Sequence, residues 1–277
     1  ASPGRPRELS AQVIPALKRA PLRAPAQRPA EEDTGQLIGI LSAKGGLGVS
    51  TLATNLAIEL HHQAEKKVIL SDFRPGQGTI GIELDIQGIN SMSRLLDQGS
   101  LEHLAESIKD GLLEHKSGIY TFLSSYQPKD ARYLTAPDQF LDFTQELKKF
   151  ARYIVLDLGP ALSPINREVV PECDKILICM EPTPLNVIQT KALFQDLFNL
   201  GIGEGRFVTV LINRQRSGVQ LSWEQTEDQL GREIDHILTP VPELAYQAAR
   251  THQPIVERAP ESMTATQFRE LAEALIG

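Results

Sequence analysis

The sequence predicts an α/β fold: a three-layer, doubly wound and mainly parallel sheet over residues 37–277. Short, continuous apolar runs recur along this part of the chain, and segments with a helical spacing of apolar residues separate them. Strands buried on both faces are apolar throughout, and a β/α alternation brings such strands into one parallel sheet with helices on both faces. In sheets of this kind, ligands bind at the carboxyl ends of the strands.

Each predicted strand is a short apolar run, and the helices are predicted from apolar spacing and start signals. Leu52, Leu56 and Leu60 lie on one face of the first helix, and Pro137 suits the first turn of a later one. The predicted strands are Leu37–Ser42, Lys67–Leu70, Ile119–Ser124, Tyr153–Asp157, Lys175–Met180 and Phe207–Asn213. The predicted helices are Ser50–Gln63, Ser91–Gln98, Leu101–Leu113, Pro137–Phe150, Pro184–Leu200, Leu221–Leu230, Glu243–Thr251 and Thr264–Ile276.

Residues 74–91 are rich in glycine and predict mainly loop. Within them, Gly76–Gly81 has the spacing G-x-G-x-x-G and follows a strand. A dinucleotide-binding fingerprint must also open a helix, whereas Ile82–Ile86 is predicted to be loop or a short strand. We therefore interpret this stretch as a flexible, switch-like loop rather than a dinucleotide site.

Residues 1–36 differ in composition from the rest of the chain, with six prolines among alanine and arginine. We predict a linker here, and two interpretations remain open. It is either a disordered tail, or the last helix (around Arg7–Arg19) and tether of a domain that this chain lacks. The first residue is Ala1 rather than methionine, so we expect a fragment or a processed chain.

Charge is divided unevenly along the chain. The whole chain has a net charge of −7, but residues 1–30 carry +5, which leaves −12 for residues 31–277. Binding along a nucleic-acid backbone needs clustered lysine and arginine, so this balance disfavours DNA as a partner. Cys173 and Cys179 are too few for a disulfide framework and indicate a reducing compartment. No apolar run is as long as a membrane span, so we expect no membrane insertion.

The segment Ala43–Thr51 lies between a predicted strand and a predicted helix and is rich in glycine. Glycines let successive backbone N–H groups point into one concavity, and the helix N-terminus adds positive potential, so such a segment can bind phosphates. The standard pattern G-x-x-x-x-G-K-[ST] is met only at Gly48 and Ser50, because Ala43 and Val49 occupy its other defined positions. On this pattern alone, a glycine-rich turn without a ligand remains the alternative.

A second pattern fits better. The run from Lys44 to Thr51, followed by Leu-Ala-Thr-Asn-Leu-Ala, resembles the deviant Walker A motif of the ParA/MinD family, usually written KGGxGK[ST]T. The resemblance extends over residues 37–277. Its other landmarks are Asp72 after the second strand, Tyr153–Pro160 as a Walker B strand, Asp174–Pro184, Leu211–Arg214, Pro240, and Gln253–Glu257 as a final strand-like stretch.

This resemblance implies an ATP- or ADP-binding protein that forms a homodimer, in which Lys44 crosses to the partner's ATP phosphates. It also implies catalytic roles for Lys44 and Asp72. The nucleotide-binding residues that it implies are Lys44, Gly45, Gly46, Leu47, Gly48, Val49, Ser50 and Thr51 at the phosphates, with Asn213 and Pro240 at the base.

Within the family, the chain resembles the TadZ/CpaE branch, which acts in pilus assembly. The cues are Ile40–Lys44, Asn166–Val170 and the N-terminal extension. The branch implies positioning or assembly of a pilus or secretion machine, with pilus or secretion-system proteins as partners. It implies a cytoplasmic protein recruited to a cell pole or a membrane-bound complex, and it makes residues 1–36 the end of a receiver-like domain.

Two positions depart from the family pattern. Val49 replaces the lysine that neutralises the β- and γ-phosphates, so nucleotide binding should be weaker by about 1.5–3 kcal/mol. Arg74 replaces the second carboxylate of an Asp-x-Asp pattern that begins at Asp72, and a guanidinium cannot accept a hydrogen bond from the attacking water. Two interpretations of Arg74 remain open: a solvated loop arginine, or a positive charge near the γ-phosphate.

Asp157 ends an apolar strand, which puts its carboxylate at the same sheet edge as the phosphate loop. With Ser50 and Asp72 it is predicted to hold Mg²⁺, directly or through water, because Mg²⁺ prefers a few oxygen ligands besides phosphates. A turn or capping role for Asp157 is the alternative.

Together these observations predict a nucleotide-binding, dimerising protein with weak or absent hydrolysis. An active ATPase with a compensated site and a nucleotide-free scaffold are the alternatives.

Overall fold

The computed structural model describes residues 34–86, 91–98, 103–212, 220–239 and 241–276, and these contain one mainly parallel sheet covered by helices. The predicted fold class is confirmed, and the five main predicted strands all lie in this sheet. The strands are β1 Gln36–Ser42, β2 Val68–Asp72, β3 Leu113–Glu114, β4 Tyr120–Phe122, β5 Tyr153–Pro160, β6 Lys175–Met180, β7 Phe207–Ile212 and β8 His236–Leu238.

Within the described residues the strand order is β3-β4-β2-β5-β1-β6-β7-β8. All neighbouring strands are parallel except β3 and β4, which are antiparallel. The first strand therefore lies inside the sheet, between β5 and β6. This order places the carboxyl ends of β2, β5, β1 and β6 side by side along one edge.

Helices cover both faces of the sheet, which gives the three predicted layers. Along β1, Ile38 and Ile40 belong to the core shared with the first and last helices, whereas Leu37 and Leu41 belong to the core on the opposite face. The helices are α1 Val49–Ala64, α2 Ile80–Glu83, α3 Ser91–Asp97, α4 Leu104–Gly111, α5 Pro137–Leu147, α6 Pro164–Val169, α7 Pro184–Asn199, α8 Trp223–Leu230, α9 Pro242–Thr251, α10 Ile255–Arg258 and α11 Met263–Leu275. Short 3₁₀ segments lie at Pro128–Thr135, Val170–Glu172 and Glu204–Arg206.

Two local predictions were wrong, and one short strand was not predicted. Gln253–Glu257 was expected to be strand-like, but its second half begins α10 directly after Pro254, and the eighth strand is instead His236–Leu238. Ile82–Ile86 was expected to be loop or strand, but Ile82 and Glu83 belong to α2. Each of these elements is only three or four residues long, too short to show a periodic apolar pattern.

Several sequence predictions fall outside the described residues. The linker prediction concerns residues 1–36, of which the structure describes only 34–36. The two residues predicted to contact a base, Asn213 and Pro240, also lie outside. Among the residues that are described, we find no helix with the length and apolar composition that crossing a membrane requires.

Candidate functional site

The candidate site lies where the carboxyl ends of four adjacent strands meet. The pairing of β2 with β5 sets Asp72 directly opposite Asp157, and the pairing of β1 with β5 sets Ile40 opposite Asp157. The glycine-rich loop begins at Ala43, three residues after Ile40. The sheet register thus brings together three features that lie far apart in the sequence: the loop, Asp72 and Asp157.

The loop has the backbone of an anion cradle. Gly46 and Gly48 have φ angles of +81° and +80°, which residues with a side chain rarely adopt. Among the residues that the structure describes, a Cβ atom on Gly45, Gly46 or Gly48 would meet nothing within 4 Å, so these leave open space beside the loop. Helix α1 begins at Val49, with no side-chain cap at Gly48 and no acidic residue in its first turn. A helix N-terminus of this kind attracts anions such as phosphate.

Val49 does not face that open space. Its side chain is only 7% exposed and packs in the core with Leu47 and Leu52. The position that carries a lysine in the motif therefore contributes packing and no charge here. Any positive side-chain charge that the site offers to an anion must come from another residue.

Lys44, the other lysine of the motif, forms an ion pair within its own chain. Its Nζ contacts Oε1 of Glu181, the residue directly after β6. Glu181 is fixed in turn, because its backbone N–H donates to Oδ1 of Asn186 at 2.7 Å. Sequence reasoning missed Glu181, although the signal was available: a charged residue that follows an apolar strand lies at the ligand edge of the sheet.

Arg74 lies partly buried between the two aspartates, which rules out the interpretation as a solvated loop arginine. Its side chain is 15% exposed, and Nη2 lies 3.0 Å from Oδ2 of Asp157 and 3.3 Å from Oδ2 of Asp72. Nε lies 3.3 Å from Oδ1 of Asp72, and Nη2 also donates to Oγ1 of Thr79 at 3.0 Å. The contact with Asp157 is an ion pair without the alignment of a hydrogen bond.

The turn that carries Arg74 is anchored by Phe73, which is 2% exposed. The Phe73 ring lies 5.3 Å from that of Phe140 and 5.8 Å from that of Phe143, measured between centroids. Burial of this ring on one face of the sheet fixes the backbone on either side of it. Asp72 and Arg74 are consequently held at the sheet edge by packing as well as by their own hydrogen bonds.

Burial raises the pKa of both aspartates. For Asp157, burial and the neighbouring charge of Asp72 raise the pKa to about 7, although Arg74 and a hydrogen bond from Ser50 act in the opposite direction. For Asp72, burial raises the pKa and the charge of Arg74 opposes it. Burial alone would lower the pKa of Arg74, but the charges of Asp72 and Asp157 outweigh it and raise that pKa. The guanidinium is therefore a fixed cation of this site.

A third acidic side chain, Glu83 on α2, lies beside the pair and was also missed from the sequence. Oγ1 of Thr79 donates to Oε1 of Glu83 at 3.2 Å, and burial raises the pKa of this carboxyl. The sequence signal for this contact was the i, i+4 spacing of Thr79, which precedes α2, and Glu83, which ends it. The glycine-rich stretch Gly76–Gly81 therefore supports the carboxylate pair, since Thr79 N–H also donates to Asp72 at 3.1 Å.

The arrangement does not suit Mg²⁺ bound directly by the aspartates. Each oxygen of Asp72 already accepts two N–H groups, from Arg74 and Thr79. Oδ1 of Asp157 accepts from Gly159 N at 3.0 Å, and Oδ2 faces Arg74. Mg²⁺ requires near-octahedral oxygen ligands at about 2.1 Å, which these contacts obstruct. Among the described residues there is no group of three acidic, histidine or cysteine side chains placed to hold a metal ion.

The predicted site residues therefore fall into three groups. The loop from Lys44 to Thr51 and the pair Asp72 and Asp157 lie together, as predicted, at the carboxyl edge of the sheet. Val49 lies beside them but faces the core. The predicted base contacts fall outside the described residues.

A parallel sheet of this order, with a glycine loop leading into a helix at its carboxyl edge, has the architecture of the P-loop NTPases of the ParA/MinD kind. A family model described as an AAA domain (AAA_31) matches residues 35–198, more than half of the chain. The chain belongs to this ParA/MinD-type AAA_31 ATPase family.

Curated relatives are distant. The chain is 23% identical over 167 residues to a virulence plasmid ParA family protein, pGP5-D, of Chlamydia psittaci, a match that covers 59% of this chain and 64% of that protein. It is 23% identical over 205 residues to the septum site-determining protein MinD of Thermotoga maritima. This match covers 72% of this chain and 73% of that protein. The chain spans only 57–64% of the length of the first three curated relatives that it matches.

Solved structures share the fold at low sequence identity. A ParA family ATPase from Chlorobium tepidum superimposes with a TM-score of 0.76 at 18% identity, covering 86% of this chain and 98% of that one. MinD from Pyrococcus horikoshii, solved in complex with Mg-ADP, superimposes with a TM-score of 0.74 at 19% identity, covering 87% and 96%. At sequence identities this low, the structural similarity shows a shared fold and nothing more.

Proposed function

We propose that this chain is a nucleotide-binding positioning protein that binds ATP or ADP over the loop from Lys44 to Thr51, a deviant Walker A motif. The observation that carries the proposal is the open cradle at the start of α1. Two of its glycines have φ near +80°, a Cβ on any of three would meet no described residue within 4 Å, and Gly48 supplies no side-chain cap to the helix N-terminus. Such a cradle favours a phosphate chain.

Hydrolysis is weak or absent in this proposal. The position that orients the attacking water in the family holds Arg74, whose guanidinium donates hydrogen bonds and accepts none. Its contacts with Asp72 and Asp157 also occupy this pair of carboxylates. Phosphate release from ATP, measured with and without candidate partner proteins, tests this directly. Brisk turnover would favour the alternative of an active ATPase.

Filling the cradle tests nucleotide binding. Gly45→Leu places a side chain in open space beside the loop, so we expect a normal fold but at least about a tenfold loss of affinity for ADP and ATP, measured by isothermal titration. Gly205→Leu is the matched control. Gly205 also has nothing within 4 Å of its Cβ position but lies before β7, at the opposite edge of the sheet. Equal affinities of the two variants would contradict the proposed site.

The proposal includes a nucleotide-linked homodimer in which Lys44 reaches the partner's phosphates. In the structure Lys44 pairs with Glu181 of its own chain, so dimerisation would exchange that partner for the phosphates. We expect Lys44→Ala to abolish the increase in mass that ATP causes, measured by light scattering after size-exclusion chromatography. Lys149→Ala is the control, because Lys149 also pairs with a glutamate but lies before β5, away from the loop. Nucleotide-dependent dimers of Lys44→Ala would contradict this role.

Within the family, the proposed task is positioning or assembly of a pilus or secretion machine, as in the TadZ/CpaE branch. Support comes from the cues Ile40–Lys44 and Asn166–Val170 and from the N-terminal extension, which we propose is a linker following a receiver-like domain. We propose a cytoplasmic protein recruited to a cell pole or a membrane-bound complex. A fluorescent fusion observed with and without the pilus genes tests this, and uniform fluorescence in both strains would contradict it.

A further inference from the structure

We propose that Arg74 is the resident cation of this site and that the chain binds its nucleotide without a divalent metal ion. The inference rests on the proposed nucleotide binding and deepens it. It follows from the position of the guanidinium, which lies against both aspartates that would otherwise face Mg²⁺.

The backbone leaves room for Arg74, so its buried position is part of the fold. A Cβ atom on Gly159 would lie 2.5 Å from Cδ and 3.0 Å from Cγ of Arg74. Gly159 also has a φ of +64°, which disfavours any residue with a side chain. The stem of Arg74 therefore passes over a glycine that lies two residues after Asp157.

The carboxylate oxygens are committed to this arrangement. Asp72 accepts four N–H bonds, three of them from Arg74 and one from Thr79. A metal ion that took Asp72 as a direct ligand would have to break at least one of these bonds. It would also lie close to a guanidinium that cannot lose its charge, since arginine stays protonated in proteins. Direct coordination of a metal ion by Asp72 and the complete set of its bonds with Arg74 and Thr79 therefore exclude one another.

Arg74 retains donors for a ligand. Nε and Nη2 make its hydrogen bonds with the described residues, and Nη1 makes none with them. A guanidinium is well suited to phosphate oxygens because its planar fork presents several donors with a delocalised charge. With Val49 in the lysine position, Arg74 and Lys44 are the cations that the described part of the loop and carboxylate cluster offers to a phosphate chain.

The test compares ADP binding in excess MgCl₂ and in excess EDTA, using a fluorescent ADP analogue and the full chain. For the unmodified chain we expect affinities that agree within about twofold, since no metal bridges protein and nucleotide. For Arg74→Gln we expect binding at least about tenfold weaker in EDTA than in MgCl₂, because the freed carboxylates then need a metal ion. Arg132→Gln is the matched control, an exposed arginine that pairs with Asp97.

A second measurement does not depend on the variant folding. Mn²⁺, which replaces Mg²⁺ and is visible by electron paramagnetic resonance, should stay unbound when added to the unmodified chain without nucleotide. Arg74→Lys keeps the charge, so its ADP affinity should remain independent of metal. Failure of the unmodified chain to bind ADP under any condition would overturn the proposed function itself. ADP binding that Mg²⁺ tightens tenfold or more, or tight binding of Mn²⁺ by the apo chain, would overturn only the role of Arg74.

Discussion

Replacement of Asp72 by alanine is expected to lower the free energy of unfolding by about 3 kcal/mol, the scale seen when one partner of a buried ion pair is removed. Asp72 is 1% exposed and holds Arg74 through three hydrogen bonds. Its loss also leaves the N–H of Thr79 without its acceptor. Urea denaturation followed by circular dichroism gives the free energy, and the midpoint should fall while the slope stays constant.

The control is a double variant that removes the charges of Asp72 and Arg74 together. In Asp72→Ala with Arg74→Met, the guanidinium that lost three hydrogen bonds is itself removed, so we expect part of the lost stability to return; the rest stays lost because Asp157 then has no ion pair. Asp157→Asn should cost less than Asp72→Ala, because the pKa of Asp157 is raised to about 7 and the amide resembles its protonated form. A loss below about 0.5 kcal/mol in Asp72→Ala, typical of exposed positions, would mean that Arg74 is not held as the structure indicates.

The sheet could be predicted from the sequence because its strands are buried on both faces. Such strands consist of consecutive apolar residues, as in Tyr153–Pro160 and Lys175–Met180, and this pattern is visible without any knowledge of partners. The missed elements lack that signal. His236–Leu238 is a three-residue strand at the sheet edge, and Ile80–Glu83 is a single helical turn inside a glycine-rich stretch.

The part of the site that lies at the carboxyl ends of the strands was predictable, because ligands bind at that edge of a parallel sheet. Asp72 ends β2, and Asp157 ends the predicted strand Tyr153–Asp157, although β5 continues to Pro160. The sequence therefore places both beside the loop, and the register shows that they are direct neighbours. The environment of Arg74 was not predictable. The position of Arg74 depends on its contacts with Gly159 and Thr79. Both residues are uncharged, so no charge pattern in the sequence indicates that an arginine contacts them.

Val49 is a second residue whose structural environment could not be predicted from the sequence. The sequence shows that a lysine is replaced, but the side-chain direction depends on packing against Leu47 and Leu52, which no local pattern gives. Lys44 is similar. The motif names it, yet its pairing with Glu181 requires that the ends of β1 and β6 be neighbours. For both positions the residue type was visible in the sequence, whereas its environment was not. Core packing sets the direction of Val49, and strand order sets the ion-pair partner of Lys44.

Val49→Lys is expected to tighten ATP binding by about tenfold or more, because one charge-assisted hydrogen bond contributes about 1.5–3 kcal/mol. The lysine stem can replace part of the packing of Val49 in the core, while the ammonium extends toward the open side of the loop. Hydrolysis should remain slow, since Arg74 still cannot orient a water molecule. Isothermal titration gives the affinity, and a phosphate-release assay gives the turnover.

Val49→Met is the matched control for this prediction, because methionine is similar in length to lysine but carries no charge. It should leave ATP affinity within about twofold of the unmodified chain if charge, rather than packing at the start of α1, controls binding. Equal affinities of the lysine and methionine variants would mean that an ammonium at the end of this core-facing side chain does not reach the phosphates. A rise in turnover in Val49→Lys alone would mean that Arg74 does not limit the chemistry, because the lysine variant leaves the contacts of Arg74 with Asp72 and Asp157 in place.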